Sequence, residues 1–144
     1  NPCGEGFVEN SYNSPDSVNS LKWNELTKNK AVCEYYCGLI AFRKAHPALR
    51  LSSAEQIAKH LLFLQNVPEN TVGYLLTDHA GQDNLKEICI LFNPNRSAVS
   101  FSIPDGPWDI YAQEDKIIGT VPLGRHTKET IEVAAVSCTI LGRA

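Results

Sequence analysis

Hydrophobic and polar positions follow three different patterns along the chain. Residues 1 to 28 show no period. Asn, Ser, Gly and Pro dominate them, and turn signals such as Ser14-Pro15-Asp16 break the stretch, so it reads as a long loop. From Asn29, which fits a helix cap, the apolar residues Val32, Tyr36, Leu39 and Ile40 recur at the three-to-four spacing of one helical face. They predict a helix to about Ala45, and Pro47 forbids its continuation. A second, short helix is expected from Ser53, because Gln56 three residues later completes a capping-box pattern.

After His60 the period changes to that of strands. Short β-rich runs occupy Leu61 to Gln65, Val72 to Thr77, Glu87 to Phe92, Val99 to Ile103, Trp108 to Ala112, Lys116 to Val121, Thr130 to Val133 and Ser137 to Leu141. Loop punctuation separates them at residues 66 to 70, at Asp78 to Asn84, at Asn93-Pro94-Asn95 and at Pro104-Asp105-Gly106-Pro107. Seven or eight strands so spaced predict a mainly β fold, an antiparallel β-sandwich in which two sheets bury their inner faces together. Within Trp108-Asp109-x-Tyr111 the two aromatics are expected on one face, opposite Asp109 and Ile110, as ordinary core content of a half-buried strand.

At 144 residues and 43% hydrophobic, the chain has room for one real core and a short appendage. A net charge of −3 supplies no field to attract phosphate backbones or anionic lipid, so neither nucleic acid nor a membrane surface is expected as a partner. No apolar run approaches the roughly 20 residues of a membrane span, and Asn1-Pro2-Cys3-Gly4-Glu5 is no signal peptide. With no Met anywhere, the sequence reads as an excised piece of a longer one.

The reactive residue types form no obvious site. Cys3, Cys33, Cys37, Cys89 and Cys138 are odd in number and contain no CxxC pair. Cys33 and Cys37 are four apart on the expected helix, but a tetrahedral metal site needs two further ligands that the spacing does not offer. Buried apolar thiols are the expectation. His46 stands at a helix end, where the dipole favours a structural cation. His60, His79 and His126 are scattered and lack a nucleophile with which to form a triad.

Two stretches carry a resemblance to a known family. Asn10-Ser11-Tyr12-Asn13-x-Pro15-Asp16-x-Val18-Asn19-x-x-x-Trp23 is followed by Tyr35-Tyr36-x-Gly38-Leu39-Ile40-Ala41-Phe42-Arg43-Lys44-Ala45-His46-Pro47-Ala48. Further pieces keep the same order: Ser53-Ala54-Glu55-x-Ile57, Lys59-His60-Leu61, Asn93-Pro94-Asn95, and Val133-x-Ala135-x-Ser137-x-x-x-Leu141. Together they resemble type I pullulanases of the α-amylase superfamily, over essentially the whole chain beyond residue 9. The resemblance implies a (β/α)8 barrel followed by a C-terminal β-sandwich. Residues 1–50 would be the remnant of the last barrel loop and final barrel helix, and residues 51–144 the sandwich domain. The parent would hydrolyse α-1,6 branch linkages in pullulan, glycogen or starch dextrins.

Retaining glycoside hydrolysis needs two carboxyl groups about 5 to 5.5 Å apart. The family takes its Asp nucleophile, Glu acid/base and supporting Asp from barrel strands that would precede every residue here, so no catalytic residue and no glycosidase activity is expected of these residues alone. In the polar loop, Tyr12, Asp16 and Asn19 are the expected glucan contacts of the full-length enzyme, since amides and carboxylates pair with vicinal hydroxyls and an aromatic face covers a pyranose. Loop capping by the same short polar side chains is the competing reading. Trp23 is expected in a core at the entrance to the helix. No cofactor is expected. Calcium in the parent enzyme would find two oxygen ligands at Asp16 with Asn19, short of the six to eight it requires.

The partners implied are thus an α-glucan, met through the full-length enzyme, and the absent barrel domain. The stripe of Val32, Tyr36, Leu39 and Ile40 should pack partly on that barrel, leaving an apolar helix face that could drive dimerisation. The alternative to a structural brace is a stand-alone, noncatalytic carbohydrate-binding β-sandwich module.

Overall fold

The structure, a computed structural model, describes residues 10–114, 116–117 and 119–144. The start of the expected loop and Cys3 lie outside the described residues. The chain divides into two compact units, residues 1–34 and 35–144, with the long helix α3 (Lys30–Ala45) running from one into the other.

In the first unit the polar stretch is not a plain loop but a series of single turns. A 3-10 turn at Ser11–Asn13 is followed by α1 (Asp16–Asn19) and α2 (Glu25–Lys28). Pro15 begins α1, its fixed φ suiting the entry to a helix, and its carbonyl accepts the Val18 and Asn19 N–H groups at 2.9 and 3.2 Å. Asn29 closes α2 through its N–H to the Glu25 carbonyl, and its own carbonyl accepts from Cys33 inside α3.

The second unit is a mainly β sandwich. Its strands are β1 (Leu61–Phe63), β2 (Val72–Leu76), β3 (Glu87–Asn93), β4 (Val99–Ser102), β5 (Trp108–Gln113), β6 (Lys116–Ile117), β7 (Gly124–His126), β8 (Thr130–Val133) and β9 (Ser137–Arg143). All pairings are antiparallel. One sheet runs β1-β2-β3-β9-β5-β6, with β7 also on β5, and β4 and β8 form the other. The short helix expected at Ser53 is α4 (Ala54–His60), and the Ser53 hydroxyl accepts the Gln56 N–H at 3.1 Å as the capping pattern required.

The large sheet buries both faces, which explains why β3 and β9 are nearly continuous apolar runs. Leu75, Cys89, Leu91 and Leu141 meet Phe101, Ile103, Ile131 and Val133, which come from the region of the small sheet. Leu76, Ile88, Ile90 and Ile140 face the other way, onto Phe42 of α3 and onto Ala48 and Ala80 in the turns that follow α3 and β2. Glycine is required where Gly142 passes under this second core, since a Cβ there would lie 2.6 Å from Leu85 and 2.9 Å from Tyr111.

In α3 Phe42 is fully buried and Leu39 partly, while Val32, Tyr36 and Ile40 are exposed, the open apolar face expected of the stripe. One sequence expectation changes. Trp108 and Tyr111 are both core residues but lie in different cores, on opposite faces of the sheet. Positions three apart in a strand alternate to opposite sides, and the register shift between Ile110 and Ala112 then turns Tyr111 and Ala112 to the same side.

Candidate functional site

The residues expected to meet glucan lie on consecutive short turns of the first unit. Tyr12 stands on the 3-10 turn and is 89% exposed, so its ring is free to meet a flat ligand. Asp16 opens α1, exposed, at the end of the helix where an anion is favoured. Asn19 closes the same turn, and its side-chain amide donates to the Ser11 and Ser14 carbonyls at 2.6 and 3.1 Å. That amide therefore fastens the Tyr12 turn onto α1, a positioning role beside any contact made by its oxygen. Trp23, expected in a core, is 76% exposed, because the entrance to the helix contains no buried residue against which to pack it.

The second unit holds the buried polar groups, and all of those with partners are engaged in structure. Asp83 is buried, with His46 Nδ1 donating to its Oδ1 at 2.9 Å, Leu85 N–H to the same oxygen at 2.9 Å and Ala48 N–H to Oδ2 at 3.1 Å. The His46 ring lies 4.2 Å from that of Phe42 one turn earlier, tilted by 43°, and meets Tyr111 edge-on. This clasp anchors the end of α3 to the loop before β3. His60 donates to the Thr77 carbonyl, His79 to the Asp83 carbonyl and His126 to the Thr130 carbonyl. Each imidazole has a backbone partner, and none faces a nucleophile.

Asn93 is equally committed. Its amide reaches the Ser97, Val133 and Ala134 carbonyls while its oxygen accepts the Asn95 N–H at 3.0 Å, which pins the turn of Asn93-Pro94-Asn95 against β8. The Arg143 guanidinium bonds Glu87 and the Asp105 carbonyl and covers the Trp108 ring at 4.4 Å. Burial pushes the thiol of Cys89 up to about 12, with Glu87 adding to the rise, and desolvation likewise raises Cys138 to about 12, so neither is a nucleophile at neutral pH.

Among the described residues no three His, Cys, Asp or Glu side chains gather into a metal site, and no helix is long and apolar enough to cross a membrane. A cleft of about 270 Å³ is lined by Pro47, Arg50, Leu51, Ser52, Gln56 and Gly81. It holds no carboxylate. Sequence reading missed the Asp83 clasp, and the only trace available to it was an Asp within loop punctuation beside a helix-ending His-Pro.

Comparison with known proteins bears on the whole chain. Residues 57–116 match the family described as pullulanase, all-beta domain. The pullulanase of Bacillus subtilis strain 168 is 39% identical over 98 residues, which cover 68% of this chain and 14% of that protein. The solved pullulanase from Bacillus acidopullulyticus superposes with a TM-score of 0.91 at 37% identity, over 96% of this chain and 17% of that one. The pullulanase type I from Bacillus subtilis, solved in complex with maltose, gives a TM-score of 0.84 at 33% identity over 95% of this chain and 19% of its own. The chain thus spans between about a seventh and a fifth of the length of these relatives. Motifs, strand order and superposition lead to one family, and the chain belongs to the pullulanases, of which it carries the all-beta domain.

Proposed function

We propose that these residues serve as the C-terminal, noncatalytic part of a pullulanase-type enzyme whose complete form hydrolyses α-1,6 branch linkages in pullulan, glycogen or starch dextrins. The observation that carries this reading is the superposition of 96% of the chain onto 17% of a pullulanase. In this reading residues 1–50 belong with the barrel and residues 51–144 form the sandwich that braces it. In this reading the chain by itself is inert, because the paired carboxyls that retaining hydrolysis needs would belong to the barrel.

Tyr12, Asp16 and Asn19 would form part of the cleft wall in the complete enzyme, with Tyr12 stacking on a sugar and Asp16 and Asn19 near its hydroxyls. The maltose bound by the Bacillus subtilis relative agrees with a glucan as the ligand of the whole enzyme. The exposed Tyr36 and Ile40 of α3 are one turn apart and would rest on barrel elements, or bring two copies together where the barrel is lacking.

Calorimetric titration of the purified chain with maltotriose and with pullulan tests the reading. A brace gives no saturable heat and no reducing sugar from pullulan. Saturable binding by the isolated chain would favour an autonomous carbohydrate-binding module instead.

A further inference from the structure

A row of aromatic residues crosses the large sheet where its helical cover ends. Phe63 of β1 is directly opposite Tyr74 of β2, and Phe92 of β3 is opposite Val72. The ring centroids are 6.2 Å apart between Phe63 and Tyr74 and 6.3 Å apart between Tyr74 and Phe92. These side chains continue the face on which Ile88, Ile90 and Ile140 are covered by Phe42 and its neighbours. Yet Phe63 is 61% exposed, Val72 46% and Phe92 41%. β1 is also an edge strand, and residues 61–64 (Leu-Leu-Phe-Leu) carry none of the charges that usually guard an edge. A contiguous apolar patch of this kind marks an interaction surface.

Its chemistry selects the occupant. Phe63, Val72 and Phe92 have no donor or acceptor with which to orient sugar hydroxyls, which leaves the half-buried Tyr74 hydroxyl as the one polar group of the face, and the Phe63 and Tyr74 rings meet at 66°, so that pair forms no flat ledge for a pyranose. An apolar protein surface fits such a face, and the two solved Bacillus pullulanases compared above carry more than four-fifths of their length outside the region that this chain matches. We propose that the face of Phe63, Val72, Tyr74 and Phe92 docks onto an apolar surface of the catalytic part of a pullulanase. It is then the grip by which the sandwich braces that part, an inference that rests on the brace reading above.

Hydroxyl-radical footprinting tests it on two proteins: the 144-residue chain, and Bacillus subtilis pullulanase in which the segment superposing on 95% of this chain is replaced by it. Phe63, Tyr74 and Phe92 should oxidise readily in the chain alone and at least about fivefold more slowly in a chimera that hydrolyses pullulan, as expected for the dry centre of an interface. Equal rates in an active chimera would overturn the docking face while leaving the brace reading intact. A chimera without pullulanase activity would overturn the brace reading and the docking face with it. Protection of the isolated chain by maltotriose, or by raising its own concentration, would give the face to sugar or to a second copy and likewise overturn the proposal.

Discussion

Replacing Asp83 with Asn should destabilise the sandwich sharply, and the geometry fixes why. Both carboxylate oxygens accept a backbone N–H, Oδ1 from Leu85 at 2.9 Å and Oδ2 from Ala48 at 3.1 Å. Whichever way an Asn amide is turned, its NH2 meets one of those N–H groups, leaving a buried donor without an acceptor. Such a donor costs about 1–3 kcal/mol, and the bonds that remain lose the assistance of a charge. A loss of about 2–3 kcal/mol is expected for Asp83→Asn, and about 3–5 kcal/mol for Asp83→Ala, which leaves His46 unpaired as well. A total stability of about 5–15 kcal/mol makes either loss a large fraction. Urea unfolding followed by tryptophan fluorescence reads it well, because Trp108 is fully buried whereas Trp23 is already exposed. With a slope of about 2 kcal/mol/M the midpoint of Asp83→Asn should fall by about 1 M or more. A midpoint within about 0.2 M of the parent's, at unchanged slope, would show that the clasp does not hold α3 to the sheet.

Other consequences are equally measurable. Thr139 is fully buried on β9 and its hydroxyl has no partner, so Thr139→Val, of the same shape, should stabilise by about 1 kcal/mol and raise the melting temperature by roughly 4 °C; an unchanged or lower melting temperature would mean the hydroxyl is satisfied. Gly142→Ala should cost about 1–3 kcal/mol by forcing a methyl against Leu85 and Tyr111, and a calorimetric melt as high as the parent's would contradict this packing. The Cys89 and Cys138 thiols hold their protons more tightly folded, at about 12, than in their ordinary state at 9.0, so their contribution is complete below pH 9 and is lost as pH rises from there through 12. Urea midpoints should accordingly decline above pH 9, and replacing both thiols with Ala should flatten that slope; an equally steep slope in the double variant would place its origin elsewhere.

The class of fold and its family are legible in the residues alone. The β-rich runs at Leu61, Val72, Glu87, Val99, Trp108, Thr130 and Ser137 each became a strand beginning at that residue, because alternation, β-branched residues and turn punctuation act within a few residues of one another. The Ser53 cap and the Asn93 turn are local in the same sense. β7 escaped, since Gly124-Arg125-His126 has no apolar alternation and is a strand only because β5 offers it an open edge. Of the described residues in the run expected from Lys116, Lys116 and Ile117 pair, with the end of β5.

Which faces are covered follows from the folded arrangement. A 3.6-residue period picks out Val32, Tyr36, Leu39 and Ile40 equally, yet the sheet accepts Leu39 and Phe42 and leaves the others to solvent. His46 and Asp83 are 37 residues apart, and no local signal joins them. Phe63, Tyr74 and Phe92 belong to three strands whose register alone lines them up. Strand and turn preferences are set by neighbours along the chain and are therefore legible in it. Burial and pairing are set by what other segments bring, and for the polar loop of Tyr12, Asp16 and Asn19 the sequence supplied the chemistry while the fold showed that the Asn19 amide already fastens the Tyr12 turn.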